Sequence, residues 1–349
     1  MPLSKLHQQT DDWLLGKRHR IIKPQQSGGL HWYGGGSSSH KKPLPQGFGL
    51  KNLTSAAKKL PEVMVKIPKR HGGSNGLQGI QNNLDYISRN GELELENQDG
   101  QLISGKAEIR NLINEYKQMG IPKNGNRKEA LNIVLSMPPG TNPEKLKNAA
   151  RAFAQEEFEN HHWVMVQHLD TDHPHCHLNV LIEDDYGRRI NPRKNDLYQW
   201  RLRFAEKLRE QGIECSATRR QHRGLYRKAD DGVLKHIQKR GGESYVMKRQ
   251  AENLIKALET GQRPTQAFLK KQLETQKIIV EEYGKLAQEL YKLGHPKEAR
   301  LISVLRKQVK EADMRTNEQI KYDQEIIKMS GAKAEVSVSL NVENDDKER

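Results

Sequence analysis

A chain of 349 residues with 59 Lys and Arg against 44 Asp and Glu carries a net charge of +15; it has room for one ordinary domain plus additions and suits a polyanionic partner, nucleic acid first. Two cysteines, Cys176 and Cys215, exclude a disulfide framework and a four-thiolate zinc site. No run approaches the ~20 apolar residues of a membrane span and MPLSKLHQQTDD does not resemble a secretory signal, so a cytoplasmic protein without membrane insertion is expected.

In chain order, residues 1–60 are rich in Lys, Gly, Ser and Pro, with GGLHWYGGGSSSHKKPLPQG as the extreme, and read as a basic, flexible extension. EVMVKI is β-like, HGGSNG is a loop, and IQNNLDYIS is a helix ending near Gly91. ELELENQDGQLI alternates on either side of Asp99-Gly100, a hairpin signal. A helix near 107–118 and the apolar strand LNIVLS follow, then the amphipathic helix PEKLKNAARAFAQEEFEN. HHWVMVQH and HCHLNVLIE are strands, and NDLYQWRLRFAEKLREQG is a helix with Leu197, Trp200, Phe204 and Leu208 on one face. This order predicts an α+β fold: an antiparallel sheet with helices covering one face, followed by a helical C-terminal region. The domains expected are the extension 1–60, a catalytic domain 61–227, helices over 228–330 and a polar tail 331–349.

Six of the fourteen histidines fall in HHWVMVQHLDTDHPHCHLNV. On a strand, His175, His177 and Asn179 share one face while Cys176 and Leu178 point to the other. A short return through Asp170 and Pro174 would set His168 beside that pair, and three neutral imidazoles could then hold a divalent cation with positions open for a phosphate oxygen. Asp170 is placed to orient one of the histidines. Mn²⁺ and Mg²⁺ are the first candidates and Zn²⁺ or Ni²⁺ are compatible. A polar sheet face or a closed structural metal site accounts for the same histidines. His161, His162 and His173 read as ordinary surface or DNA-facing residues.

Tyr86 in LDYISRNG is by itself an ordinary helical tyrosine. With the histidine string, however, the sequence resembles the single-tyrosine relaxases of plasmid mobilisation and conjugation, HUH-type nucleases, in the branch that contains the T-DNA border endonuclease. LDYISRNG is similar to that family's first motif, VLSMPPGT to its second and HLDTDHPHCHLNV to its third, in that order, over roughly residues 62–227. The resemblance implies that Tyr86 is the nucleophile, that His168, His175 and His177 are metal ligands, and that Ser136 or Thr141 contacts the DNA backbone. It implies a relaxase that nicks one strand of a transfer origin and keeps the 5′ end as a phosphotyrosine, with accessory origin-binding proteins and a secretion coupling protein as partners. The family's tyrosine commonly lies near the N-terminus, whereas here about sixty residues of basic extension precede the first strand; Tyr33 in HWYGGG is a decoy in a context that would not hold it in line.

A phenol ordinarily ionises near pH ~10, so attack requires a base or a nearby cation. Exchanging one ester for another keeps the step reversible without ATP. Single-stranded origin DNA is expected on a basic surface around Arg188, Arg189, Arg193, Arg219, Arg220 and Arg223. Rolling-circle initiators and transposases share this chemistry but usually place the histidine pair before the tyrosine. A non-catalytic DNA-binding protein with a structural histidine site is the reading of another class.

Overall fold

The computed structural model describes residues 1–22, 43–68, 75–227, 232–265 and 268–330. Tyr33, the loop residues 69–74 and the tail 331–349 lie outside the described residues. The chain divides into two units: Met1–Arg219 with Glu282–Leu305, and Arg220–Glu281 with the chain from Arg306 onward. Among the described residues no helix is long and apolar enough to cross a membrane.

The first unit is built on a six-stranded antiparallel sheet in the order β1-β4-β6-β5-β2-β3. Two helices precede it, α1 (Leu3–Leu14) and α2 (Phe48–Ala57). Then come β1 (Met64–Lys66), α3 (Gly76–Ile87), β2 (Leu95–Asn97), β3 (Leu102–Ile103) and α4 (Gly105–Gln118). The unit continues with β4 (Ala130–Ser136), α5 (Pro143–Glu157), β5 (Trp163–His168), β6 (His175–Leu181) and α6 (Lys194–Glu210).

Local chemistry sets the boundaries. Gly100, at φ 78°, closes the β2–β3 hairpin at the Asp99-Gly100 signal. α5 starts where Asn142 accepts the Lys145 N–H at 3.0 Å and Pro143 takes the first turn, a position where a missing N–H costs nothing. At α6 the Asp196 carboxylate accepts the Arg193 N–H at 2.7 Å.

Strand alternation divides the side chains between two cores. Leu131, Ile133, Leu135, Trp163, Met165, Cys176, Leu178 and Val180 pack under α5 and α6 against Phe153, Trp200, Phe204 and Leu208, so one face is continuously apolar and covered. The opposite face also carries helices: α3 and α4 pack Leu77, Ile80, Leu84, Ile87, Ile109, Leu112 and Tyr116 onto Leu95, Ala130, Val164, Val166 and Leu181. The architecture is thus the expected α+β sheet with a further helical layer.

The structure corrects the reading of residues 1–60 as a flexible extension. α1 and α2 are helices with Leu6 and Leu53 fully buried, and Phe48 joins the core under α5 and α6. Asp11 links them by accepting the N–H groups of Gly47 and Gly49, each at 2.8 Å, although burial raises the pKa of its carboxyl. The Gly- and Ser-rich stretch between them dominates the average composition and hides two short amphipathic segments.

The second unit contains a 3-10 helix (Arg220–Arg223), α7 (Gly232–Lys239) and α8 (Tyr245–Thr260); beyond its start at Arg220, its boundaries with the first unit fall within α9 (Leu269–Lys292) and α10 (Pro296–Lys310). α8 is capped by the Ser244 hydroxyl and ends at Gly261, φ 65°, and of its residues Ala257 is buried.

Candidate metal and nucleophile site

The site lies at one end of the sheet, on the face shared with α3. Antiparallel register places Ser136, His175 and His168 in one row across β4, β6 and β5, and Val134, His177 and Val166 in the next. The ring centroids of His168, His175 and His177 are 4.7–5.2 Å apart, and one ligand nitrogen from each lies within 4.8 Å of the others.

Each imidazole is oriented through its other nitrogen. His168 donates from Nε2 to the Ile87 carbonyl at 2.6 Å, leaving Nδ1 as the lone-pair atom. His175 donates from Nδ1 to the His173 carbonyl at 2.9 Å, and His177 from Nδ1 to Asn132 Oδ1 at 3.3 Å, leaving Nε2 on both. His168 and His177 are buried, and that burial lowers both pKa values, His177 to about 3 with further help from the neighbouring His168 and His175. Neutral imidazoles with converging lone pairs fit a divalent cation, given rotations that close the set by about an ångström for metal–nitrogen bonds of ~2.1 Å. Cys176 is fully buried on the opposite face with its thiol pushed up to about 12, and Cys215 is buried with its thiol raised to about 11, so no thiolate closes the histidine set.

α3 carries Tyr86 to this face. Its ring stands edge-on to His177 at 6.3 Å between centroids, and the residue is 62% exposed. The helix is fixed on both sides of the tyrosine: Asn179 donates to Asn83 at 2.5 Å, and the Ile87 carbonyl receives His168. Tyr86 therefore presents an accessible hydroxyl-bearing ring from a held backbone.

α3 ends in an unusual turn. Arg89, Asn90 and Gly91 have successive φ values of 54°, 57° and 89°, and among the described residues Lys59 is the one other non-glycine with positive φ. For Arg89 this conformation costs roughly 1–2 kcal/mol, and less for Asn90, because asparagine adopts it more readily. The turn is pinned by Asn90 N–H to the Asp85 carbonyl at 2.7 Å and by Gly91 against α4, where a Cβ would meet the backbone of Gly105 and Lys106 at 2.8 Å. It aims the Arg89 guanidinium at the Asp170 carboxylate, with which it forms an ion pair. That pair is open to solvent, the two side chains being 38% and 52% exposed, and exposed pairs contribute only ~0–1 kcal/mol.

Asp170 is thereby not where the sequence puts it: its carboxylate engages Arg89, with no hydrogen bond to a histidine among the described residues. Ser136 is half-buried beside His175, and the Thr141 hydroxyl donates to the Pro138 carbonyl at 2.9 Å in the turn after β4, whose Met137 N–H reaches Pro174 at 3.3 Å. His162 lies 3.2 Å from Asp185, and His161 bonds the Leu181 carbonyl at 3.0 Å.

The expected arginine surface does not gather at the histidines. Arg188 pairs with Asp184 at 2.9 Å, and Arg189 with Glu129 and Glu183 at 2.8 and 2.9 Å. These residues follow β6, whose seven residues span roughly 20 Å, so they lie at the opposite end of the strands from His175. Arg193 is the N-cap of α6. Arg219 stacks 4.3 Å over the Tyr198 ring and donates to Asn195 at 3.1 Å. Arg220 and Arg223 belong to the second unit, where Arg220 donates to the Arg227 carbonyl.

Sequence reasoning missed Asn83, Asn132 and Arg89. The asparagines had a signal: Asn132 interrupts an otherwise apolar strand on the face of His177, and Asn83 lies one turn before Tyr86. Arg89 had none beyond its place three residues after the tyrosine.

Comparison with known proteins points to the middle of the chain, over a span narrower than the 61–227 expected. Residues 86–213 match the family model described as relaxase, MobA/VirD2-like, nuclease domain. The T-DNA border endonuclease VirD2 of Rhizobium radiobacter is 32% identical over 184 residues, covering 47% of this chain and 43% of that protein. The T-DNA border endonuclease VirD2 of Agrobacterium fabrum is 29% identical over 186 residues, with 47% and 41% covered, and that of Rhizobium rhizogenes 28% over 187, with 47% and 42%. In each case the match spans less than half the length of the curated relative. No solved structure matches the chain.

Proposed function

Taking as premise that residues 86–213 are a MobA/VirD2-like relaxase nuclease domain, we propose that the protein nicks one strand of a transfer origin through Tyr86 and retains the 5′ end covalently during conjugative mobilisation. The observation that carries this reading is the accessible Tyr86 ring, on a helix held at Asn83 and Ile87, standing beside three convergent imidazoles.

The phenolic oxygen attacks the scissile phosphorus, the bond to the 3′ oxygen breaks, and a 5′-phosphotyrosine forms. The phenol loses one proton and the departing 3′ oxygen gains one, so the exchange is balanced and reversible. A divalent cation on His168, His175 and His177 would draw charge from a non-bridging oxygen. The chain's own contribution is preorganisation: carbonyls and an amide fix the imidazole tautomers, burial keeps His168 and His177 neutral, and two polar ties hold α3 against the sheet. Ser136 and Thr141 lie on the β4 side of the histidines, where a strand leaving the site would pass.

The test is incubation with Mn²⁺ or Mg²⁺ and an origin strand labelled at either end. A denaturation-resistant adduct carrying only the 3′-labelled fragment is expected, lost with Tyr86→Phe and with His175→Ala. Cleavage of a cognate strand without an adduct would make the protein a hydrolase; binding without cleavage would make it a non-catalytic binder. The helices after residue 228 serve, in this reading, to meet accessory origin-binding proteins or a secretion coupling protein. Unchanged transfer on deleting 228–349 would remove that role.

A further inference from the structure

The Arg89–Asp170 pair sits on the left-handed turn that ends α3, beside Tyr86 and the histidines. Two consecutive non-glycine residues are held left-handed with Gly91 against the α4 backbone, and from this fixed turn the Arg89 guanidinium makes a solvent-exposed contact with the Asp170 carboxylate. The turn itself closes α3, with the Asn90 N–H on the Asp85 carbonyl and the Gly91 and Leu93 N–H groups on the Ser88 carbonyl, but an exposed ion pair stabilises a fold little, so stability does not explain why Arg89 is paired with Asp170. Its placement is informative: Arg89 is three residues from Tyr86, and Asp170 is two residues from His168. The guanidinium is close enough to help lower the pKa values of His168 and His177. A planar fork donor beside the nucleophile and the cation site matches two oxygens of a phosphate as readily as those of a carboxylate.

We propose that Arg89 is the phosphate-holding cation of this site: its guanidinium leaves Asp170 for the non-bridging oxygens of the DNA phosphate that comes to rest between Tyr86 and the histidines. Asp170 acts as a stand-in for that phosphate, keeping the fork oriented in the free protein and competing with DNA for it. The inference rests on the reading of the site as a tyrosine relaxase, and it assigns Arg89 a contact with substrate and Asp170 a positioning role.

The experiment uses full-length Tyr86→Phe protein, which cannot capture the strand covalently. A fluorescent random-sequence single strand of roughly 30 nucleotides is titrated between about 50 and about 200 mM salt. Adding Arg89→Gln is expected to reduce the slope of log K against log salt by about 0.7, the value of one phosphate contact on a single strand. Adding Asp170→Asn is expected to raise affinity several-fold with the slope unchanged. Asp172→Asn, at a likewise exposed carboxylate two residues away, supplies the same change in net charge and should raise affinity less. A slope unmoved by Arg89→Gln in a protein that still takes up Mn²⁺ would overturn the proposal. Should Arg89→Gln fail to fold, the aspartate pair decides alone, because Asp170→Asn leaves the strained turn intact: equal effects of the two substitutions, or a weakened complex, would overturn it. Absence of an adduct with unmutated protein would overturn the tyrosine reading and leave the salt slope to be judged separately.

Discussion

The same strands give the two faces of the sheet opposite characters. Toward α5 and α6 they present Leu131, Ile133, Leu135, Trp163, Met165, Cys176, Leu178 and Val180, a surface with no polar demand. Toward α3 they add to the apolar Ala130, Val164, Val166 and Leu181 the polar Asn132, Asn179, His168, His175 and His177, each tied to a partner. With a period of two, one strand can anchor the fold with every odd residue and hold a reacting group with every even one. Stability and chemistry should therefore separate by face, and substitutions can test that division.

The largest effect belongs to the exposed side. Tyr86→Phe removes the hydroxyl proposed to form the ester, so the covalent adduct should vanish from a denaturing gel. Thermal stability should hold, because the ring is 62% exposed. A residual adduct would move the nucleophile elsewhere. Phe153→Ala is the counterpart on the covered face: a fully packed ring is lost under α5, at a cost of about 3–5 kcal/mol in urea unfolding. Metal uptake by the remaining folded protein should be unchanged, and its loss would show that the two faces are coupled.

His177→Ala should lower the rate of adduct formation by ~10²-fold or more, the scale on which a preorganised charge-stabilising group acts, and destabilise less than Phe153→Ala. Its pH behaviour gives a further check. The folded protein holds His177 near 3, below the ordinary value of ~6.5, so the unfolded chain takes up the proton more readily. Stability should thus fall as pH drops from about 6.5 toward 3, and the dependence should flatten in His177→Ala. An equally steep curve in the variant would assign the effect to other groups.

How far the sequence reveals this division depends on the kind of residue. The histidine row follows from alternation alone, because β6 is a regular strand and a short return brings His168 opposite His175. The helices over 143–157 and 194–210 follow from their apolar stripes. Asn83 and Arg89 do not: their roles depend on how α3 crosses the sheet and on a left-handed turn that no periodicity encodes. α1 and α2 escape notice because ten- and twelve-residue helices are outweighed by the intervening low-complexity stretch. The arginines are hard to place for another reason. Charge counts locate no residue in space, and Arg188 and Arg189 find acidic neighbours beyond the far end of β6.

Those two arginines supply the smallest expected effect and a test of the sheet's other axis, end against end. Arg188 is more than half exposed and pairs with Asp184 four residues away, so Arg188→Ala should change stability by no more than ~0.5 kcal/mol. With β6 separating it from His175 by roughly 20 Å, the rate of adduct formation at saturating DNA should also be nearly unchanged. Screening reinforces the expectation, since exposed charges separated by more than ~8 Å at physiological salt interact weakly. A tenfold loss of rate in Arg188→Ala, with metal uptake intact, would mean that the strand wraps past the far end of β6. The reacting end would then not suffice to position the DNA, and the arginine surface expected from composition would regain its role.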